Sequence, residues 1–157
     1  MTTWLRRMWT VGVIGVLAVA GVAFAPASQA GPYMLKGNYD IRIPDRYDFH
    51  TWIWTVSPCV PFSPECVKIQ GVPQPIAKAF QWNGDARPGP DGRYTLTVDV
   101  PDGLRCDNIY YGPVIPTHDV YTWDPVTLAG TLVSSFDVNC GNQPGGSYTY
   151  PFNLIRM

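Results

Sequence analysis

Apolar and polar residues alternate at period two in four stretches of the chain. Trp52, Trp54 and Val56 share one face against Thr51, Ile53 and Thr55, and Tyr94, Leu96, Val98 and Val100 oppose Thr95, Thr97 and Asp99. Leu128, Gly130, Leu132, Ser134, Phe136 and Val138 make a third row, and Tyr148, Tyr150, Phe152 and Leu154 a fourth. Period two is the repeat of a pleated strand with one buried face. Gly130 inside its row predicts a bulge or bend. Pro90-Asp91-Gly92 reads as the turn that launches one strand and Pro101-Asp102-Gly103 as the turn that reverses it. In each, proline fixes φ and glycine can take positive φ. Further turns are predicted at Asn83-Gly84-Asp85, Asp124-Pro125 and Pro144-Gly145-Gly146. The spacing predicts about seven to nine short antiparallel strands in a single all-β domain, either a barrel or a sandwich. Both architectures bury one face of each strand, so the pattern does not choose between them.

A different pattern opens the chain. Arg6 and Arg7 precede an apolar run from Val11 to Ala25, and Pro26 follows. The run is shorter than the roughly 20 residues that span a hydrocarbon core, and it contains three glycines. A short positive segment, an apolar helix and small residues at Ser28 and Ala30 form a secretion signal, with the cut predicted after Ala30. Residues 1–30 are thus read as the signal peptide and 31–157 as the exported domain, which meets the membrane only during export. Residues flanking Arg6-Arg7 match a twin-arginine signal poorly. No cysteine near the cut could carry a lipid. Pro32 to Lys36 reads as a frayed lead-in to the domain.

Composition sharpens the picture. Fifteen prolines, twelve glycines and a single glutamate beyond residue 30 leave little helix-forming material. Loss of the two leader arginines leaves nine basic against twelve acidic residues. Scattered cations on an acidic domain argue against nucleic-acid binding. All four cysteines, Cys59, Cys66, Cys106 and Cys140, follow the cut, and an exported chain with an even count is expected to form disulfides. Three pairings are open. The Pro-rich segment from Cys59 to Cys66 could close locally, leaving Cys106 with Cys140, which is the preferred pairing. Paired C-x2-C knuckles of a zinc site are absent, and no cofactor is implied.

Candidate chemistry is sparse. The polar cluster from Arg42 to His50 sets Asp48 two residues before His50, where a carboxylate could orient an imidazole as a general base. His118 stands beside Asp119, but neither histidine has zinc-ligand spacing and no serine sits in a G-x-S-x-G elbow. The chain therefore reads as a non-enzyme. The acidic, glycine-rich stretch from Asn83 to Gly92 lacks the ligands of an EF-hand and reads as a hairpin loop. Aromatic richness is the most suggestive feature: Trp52, Trp54, Tyr94 and Phe136 are assigned to the core. Tyr110, Tyr111, Tyr121 and Trp123 lie near loop-rich regions, where they could contact a sugar, an apolar ligand or a protein.

The segments from Trp52 to Cys59, Cys66-Val67, Tyr121 to Thr131, Cys140-Gly141 and Pro151 to Leu154 resemble a group of small secreted proteins from mycobacteria and related actinobacteria. That group is mostly of unknown function, so the resemblance implies export to an actinobacterial envelope and carries over no catalytic residue. The expected activity is binding of an envelope lipid, glycan or protein outside the cytoplasmic membrane. Tyr110, Tyr111, Tyr121, Trp123, His50 and Asp48 are the candidate contacts. A small hydrolase using a His/Asp pair and a structural or host-interacting secreted protein are the alternatives.

Overall fold

A computed structural model describes residues 33–34, 36–44, 46, 51–74, 80–108 and 112–157; the predicted signal segment lies outside them. Eight strands follow in order: β1 (Gly37–Arg42), β2 (Thr51–Pro58), β3 (Val67–Gln74), β4 (Trp82–Pro88), β5 (Tyr94–Arg105), β6 (Val114–Trp123), β7 (Ala129–Asn139) and β8 (Gln143–Arg156). Each pairs antiparallel with the next, and β8 returns to β1 from Tyr39↔Arg156 to Arg42↔Asn153, closing a barrel. Closure removes the exposed strand edges an open sheet would leave. Of the two architectures the pattern allowed, the barrel is the one formed.

The alternation sorts most side chains as predicted; Tyr148, in the fourth row, is exposed instead. Residues Thr95, Thr97 and Asp99 on β5, Lys68 and Gln70 on β3, and Asn83, Asp85 and Arg87 on β4 face outward. The lumen is aromatic. Trp54 is fully buried, with ring centroids of Tyr121, Trp123, Trp82 and Phe152 at 5.1, 5.3, 5.9 and 5.9 Å. Tyr94 stacks on Trp123 at 5.6 Å and Trp82 on Tyr121 at 5.8 Å, within the range where aromatic pairs attract. Two glycines make room for this packing. A Cβ on Gly71 would lie 2.4 Å from the Trp82 ring, and one on Gly130 would lie 2.4 Å from the Phe152 ring. Gly130 therefore marks no bulge: its pairing with Trp123 and Phe152 is regular.

Several predicted turns are instead strand. Asn83-Gly84-Asp85 runs through β4, paired with Gln70, Ile69 and Lys68, and Gly84 leaves room for the Leu96 and Val98 side chains of the neighbouring strand β5. Pro101-Asp102-Gly103 lies within β5, where the ladder to β6 slips between Val100 and Leu104. The reversal comes later, beginning at the 3-10 turn Cys106–Asn108. Pro144-Gly145-Gly146 lies inside β8, and the chain reverses at Cys140–Asn142, with Gly141 at φ 68°. A Cβ on Gly145 would strike the β7 backbone, so this glycine serves close strand approach rather than a bend. The other two turns form where predicted. Gly92, at φ 77°, closes the β4–β5 hairpin, and the Asp124 carboxylate accepts from the Val126 and Thr127 N–H groups at 2.8 Å each. Met34, in the predicted lead-in, is buried in the core, while Val138 leaves its row for solvent.

Two disulfides join Cys59 to Cys66 and Cys106 to Cys140, the preferred pairing. The first closes the β2–β3 hairpin. The second ties the tip of the β5–β6 hairpin to the tip of the β7–β8 hairpin at the opposite end of the barrel. Asp85 lies near Cys59 and Cys66, but both sulfurs are joined in the disulfide, so the cluster is no metal site.

Candidate functional site

The β6–β7 ladder runs from Trp123↔Gly130 to His118↔Ser135 and goes no further. Beyond that pair, β6 continues to pair with β5, and β7 with β8, so the two hairpins part. A slit of about 400 Å³ opens between them. Its lower edge is the last β6–β7 pair, and its upper limit is the disulfide that rejoins the hairpin tips. Val100, Pro101, Pro116 and Phe136 give the slit apolar walls, while Asp99, His118 and Asp137 rim it. Thr117 lines the slit from β6; it is 3 % exposed, and its hydroxyl, closed against Gly103 of β5, has no hydrogen-bond partner among the described residues.

One pleat deeper lies a buried charge. Asp119 is fully buried, and its carboxylate accepts hydrogen bonds from Ser134 Oγ at 2.5 Å and the Tyr121 hydroxyl at 3.2 Å. The guanidinium of Arg46, from the β1–β2 connection, reaches over the mouth to within 3.7 Å of that carboxylate. Arg46 also donates to the Gly103 carbonyl and lies in hydrogen-bonding reach of the Tyr121 hydroxyl. Burial, and next the negative charge of Asp119, push the Tyr121 phenol well above its ordinary pKa; Arg46 opposes them. Tyr150 is raised too, chiefly by burial. On the other side of Arg46, a recess of about 460 Å³ is lined by Ile41, Ile43 and Trp52. The loop end of the barrel that carries the Cys106–Cys140 disulfide thus holds both recesses and the buried ion pair, with the Trp52 and Trp82 rings beside them.

The sequence-predicted contacts fall differently. His50, Asp48, Tyr110 and Tyr111 lie outside the described residues. Tyr121 and Trp123 do not present their rings to solvent: although Trp123 ends β6 beside the turn, the parity of β6 turns both into the lumen, where they are 3 % and 0 % exposed. Tyr121 still reaches the site through its hydroxyl. Trp52, assigned to the core, is only half-buried and stacks on Trp82 at 6.2 Å beside the recess. His118 does not pair with its sequence neighbour, because adjacent strand residues point to opposite faces. Its Nδ1 instead lies 2.8 Å from Asp99 across the β5–β6 ladder. Ser135 is next in that cross-strand row, but its hydroxyl donates to the His118 carbonyl at 3.1 Å rather than to the ring. The residues missed, Thr117, Asp119 and Ser134, carried one signal. They are polar side chains at the inward parity of otherwise apolar rows.

No family model, no curated protein and no solved structure matches the chain.

Proposed function

We propose that this chain is a non-enzymatic, secreted or cell-envelope binding protein that takes a small ligand at the loop end of its barrel. One observation carries the reading: the barrel wall parts between β6 and β7 above a ring-filled lumen, giving an apolar-walled recess rimmed by Asp99, His118 and Asp137. Sites of this kind, a concave apolar surface with a few convergent polar groups, are where small molecules bind. A carrier that encloses an apolar ligand along its axis is disfavoured, because Trp54, Trp123, Leu96 and Leu132 already fill that volume. The two disulfides support an extracytoplasmic setting, in keeping with the leader and with the resemblance to secreted actinobacterial proteins. Calorimetric and tryptophan-fluorescence titration of the mature protein with envelope glycans and lipids tests the reading. Saturable binding to either class, weakened by Phe136→Ala, is expected; silence toward both would count against a small-ligand role.

The rival reading is a hydrolase built on the Asp99–His118 contact. A general base needs a nucleophile in reach, and the Ser135 hydroxyl is turned to the main chain. Any ester or peptide turnover by the protein that disappears in His118→Ala would favour the rival.

A further inference from the structure

We infer that the exported domain docks end-on to a lipid bilayer through the barrel end opposite the slit, with the Cys59–Cys66 hairpin tip as its apolar contact. This goes beyond the ligand reading above and beyond a membrane met only during export. At this end β2 turns into β3, β4 into β5 and β6 into β7, and here too the chain enters β1 and leaves β8. Val60, Phe62, Val126 and Met157 all lie there, each at least 65 % exposed, and no other large apolar side chain among the described residues reaches that exposure. Exposed apolar residues scattered singly need no explanation, but a set gathered at one end of a domain marks an interaction surface. Val60 and Phe62 are the strongest case. They flank Pro61 between the two joined cysteines, so disulfide and proline hold the tip in shape while both side chains stand in water. A polar residue at either position would lose nothing in the core, and a tip already held gives up little freedom on docking.

Two observations name a bilayer as the occupant. The first is where the leader joins the domain. Met34 is buried in the core, and the Tyr94 phenol at the start of β5 feels both Tyr33 and Glu65, so the lead-in leaves the barrel beside the Cys59–Cys66 tip. Eight residue steps separate Tyr33 from Ala25, where the apolar run of the predicted leader ends, a reach of at most about 29 Å. Until that leader is cut, the exposed apolar tip belongs to the end of the domain held against the membrane. The second is charge. Lys36, Lys68, Arg87, Arg93 and Arg156 stand in this half with four carboxylates, those of Glu65, Asp85, Asp91 and Asp124. The half with the slit holds three arginines against six carboxylates among the described residues, so an anionic surface turns the tip end toward itself. The barrel does not cross the bilayer, because Lys68, Asn83, Asp85 and Arg87 face outward where a membrane barrel needs an apolar band. Contact is therefore shallow, with the tip side chains entering the headgroup boundary.

Flotation of the intact exported protein tests the inference, with vesicles of equal parts phosphatidylglycerol and phosphatidylethanolamine set against vesicles of phosphatidylcholine. The protein is expected to float with the anionic vesicles at least about five-fold more than with the zwitterionic ones. Combined Val60→Ser and Phe62→Ser should cut flotation about ten-fold or more and leave the melting temperature unchanged, because both side chains lie outside the core. Phe80→Ser, the same kind of change at 60 % exposure on the slit end, should leave flotation as it was. In Phe62→Trp, brominated acyl chains should quench the fluorescence to an extent absent from the unsubstituted protein, whose Trp54, Trp82 and Trp123 are buried. No flotation with anionic vesicles, flotation untouched by the double substitution, or an equal loss in Phe80→Ser would overturn bilayer docking. Self-association that the double substitution abolishes, without flotation, would assign the tip to a second copy of the chain and overturn it as well.

Discussion

The Arg46–Asp119 pair offers the sharpest quantitative test of the fold. At 3.7 Å, the gross attraction is about 4 kcal/mol at the effective dielectric constant near 20 that fits protein sites. Desolvation of a fully buried carboxylate offsets much of this, so the pair adds little net stability, yet breaking it is costly: removing one partner of a buried pair costs about 3–5 kcal/mol. Arg46→Met should therefore destabilise by roughly 3 kcal/mol or more, a large share of the about 5–15 kcal/mol total expected for a domain. Asp119→Asn keeps an acceptor for Ser134 and Tyr121 and should cost less. In the double variant no charge is left unpaired, so the loss should fall short of the sum of the single losses by about 2 kcal/mol. Urea unfolding followed by tryptophan fluorescence measures all four proteins, with a shared slope licensing comparison of midpoints. If the two losses simply add, or if Arg46→Met costs under about 1 kcal/mol, the arginine does not latch the barrel mouth in solution.

Other measurements bear on the rest of the structure. Gly71→Ala drives a methyl into the Trp82 ring and should cost about 1–3 kcal/mol by overpacking, seen as a lower melting temperature. In the loop-entropy account, removing Cys106–Cys140 by double serine substitution should cost about 3.8 kcal/mol and removing Cys59–Cys66 about 2.5 kcal/mol, so the former variant should melt lower. Tyr39, Tyr94, Tyr121 and Tyr150 have pKa values raised chiefly by burial. A raised folded value means stability that is complete below the unfolded pKa near 10 and lost as pH rises above it, so in an alkaline absorbance titration these phenols should ionise only as the barrel unfolds. The Asp124 carboxyl is held below its ordinary value by the Thr127 and Val126 N–H groups. Its contribution is present above the unfolded value and fades as pH falls through the lower folded one; carbon-detected NMR titration should find that depressed midpoint, and an ordinary one would contradict the turn geometry.

Much of the fold is legible in local pattern. Period-two rows place Trp54, Tyr94, Leu96 and Phe152 inside, and an even cysteine count behind a predicted leader points to the disulfides. Glycine is where local reading fails, because one residue serves two physical ends: positive φ in a turn, or absence of a Cβ where chains approach closely. Gly92 does the first, but Gly84, Gly130 and Gly145 do the second, and only the residues opposite them decide which. The site was less legible still. That Asp119 lies inside while His118 lies outside follows from the parity of β6, yet its partners Arg46 and Ser134 arrive from strands and loops far along the chain. The slit is a property of two ladders that stop pairing, and no residue announces that by itself. Sequence determined which side chains avoid water, because hydrophobicity and pleat act over neighbouring residues. Tertiary structure alone decided how the ring of strands closes and where it parts, because register is fixed between strands rather than along them.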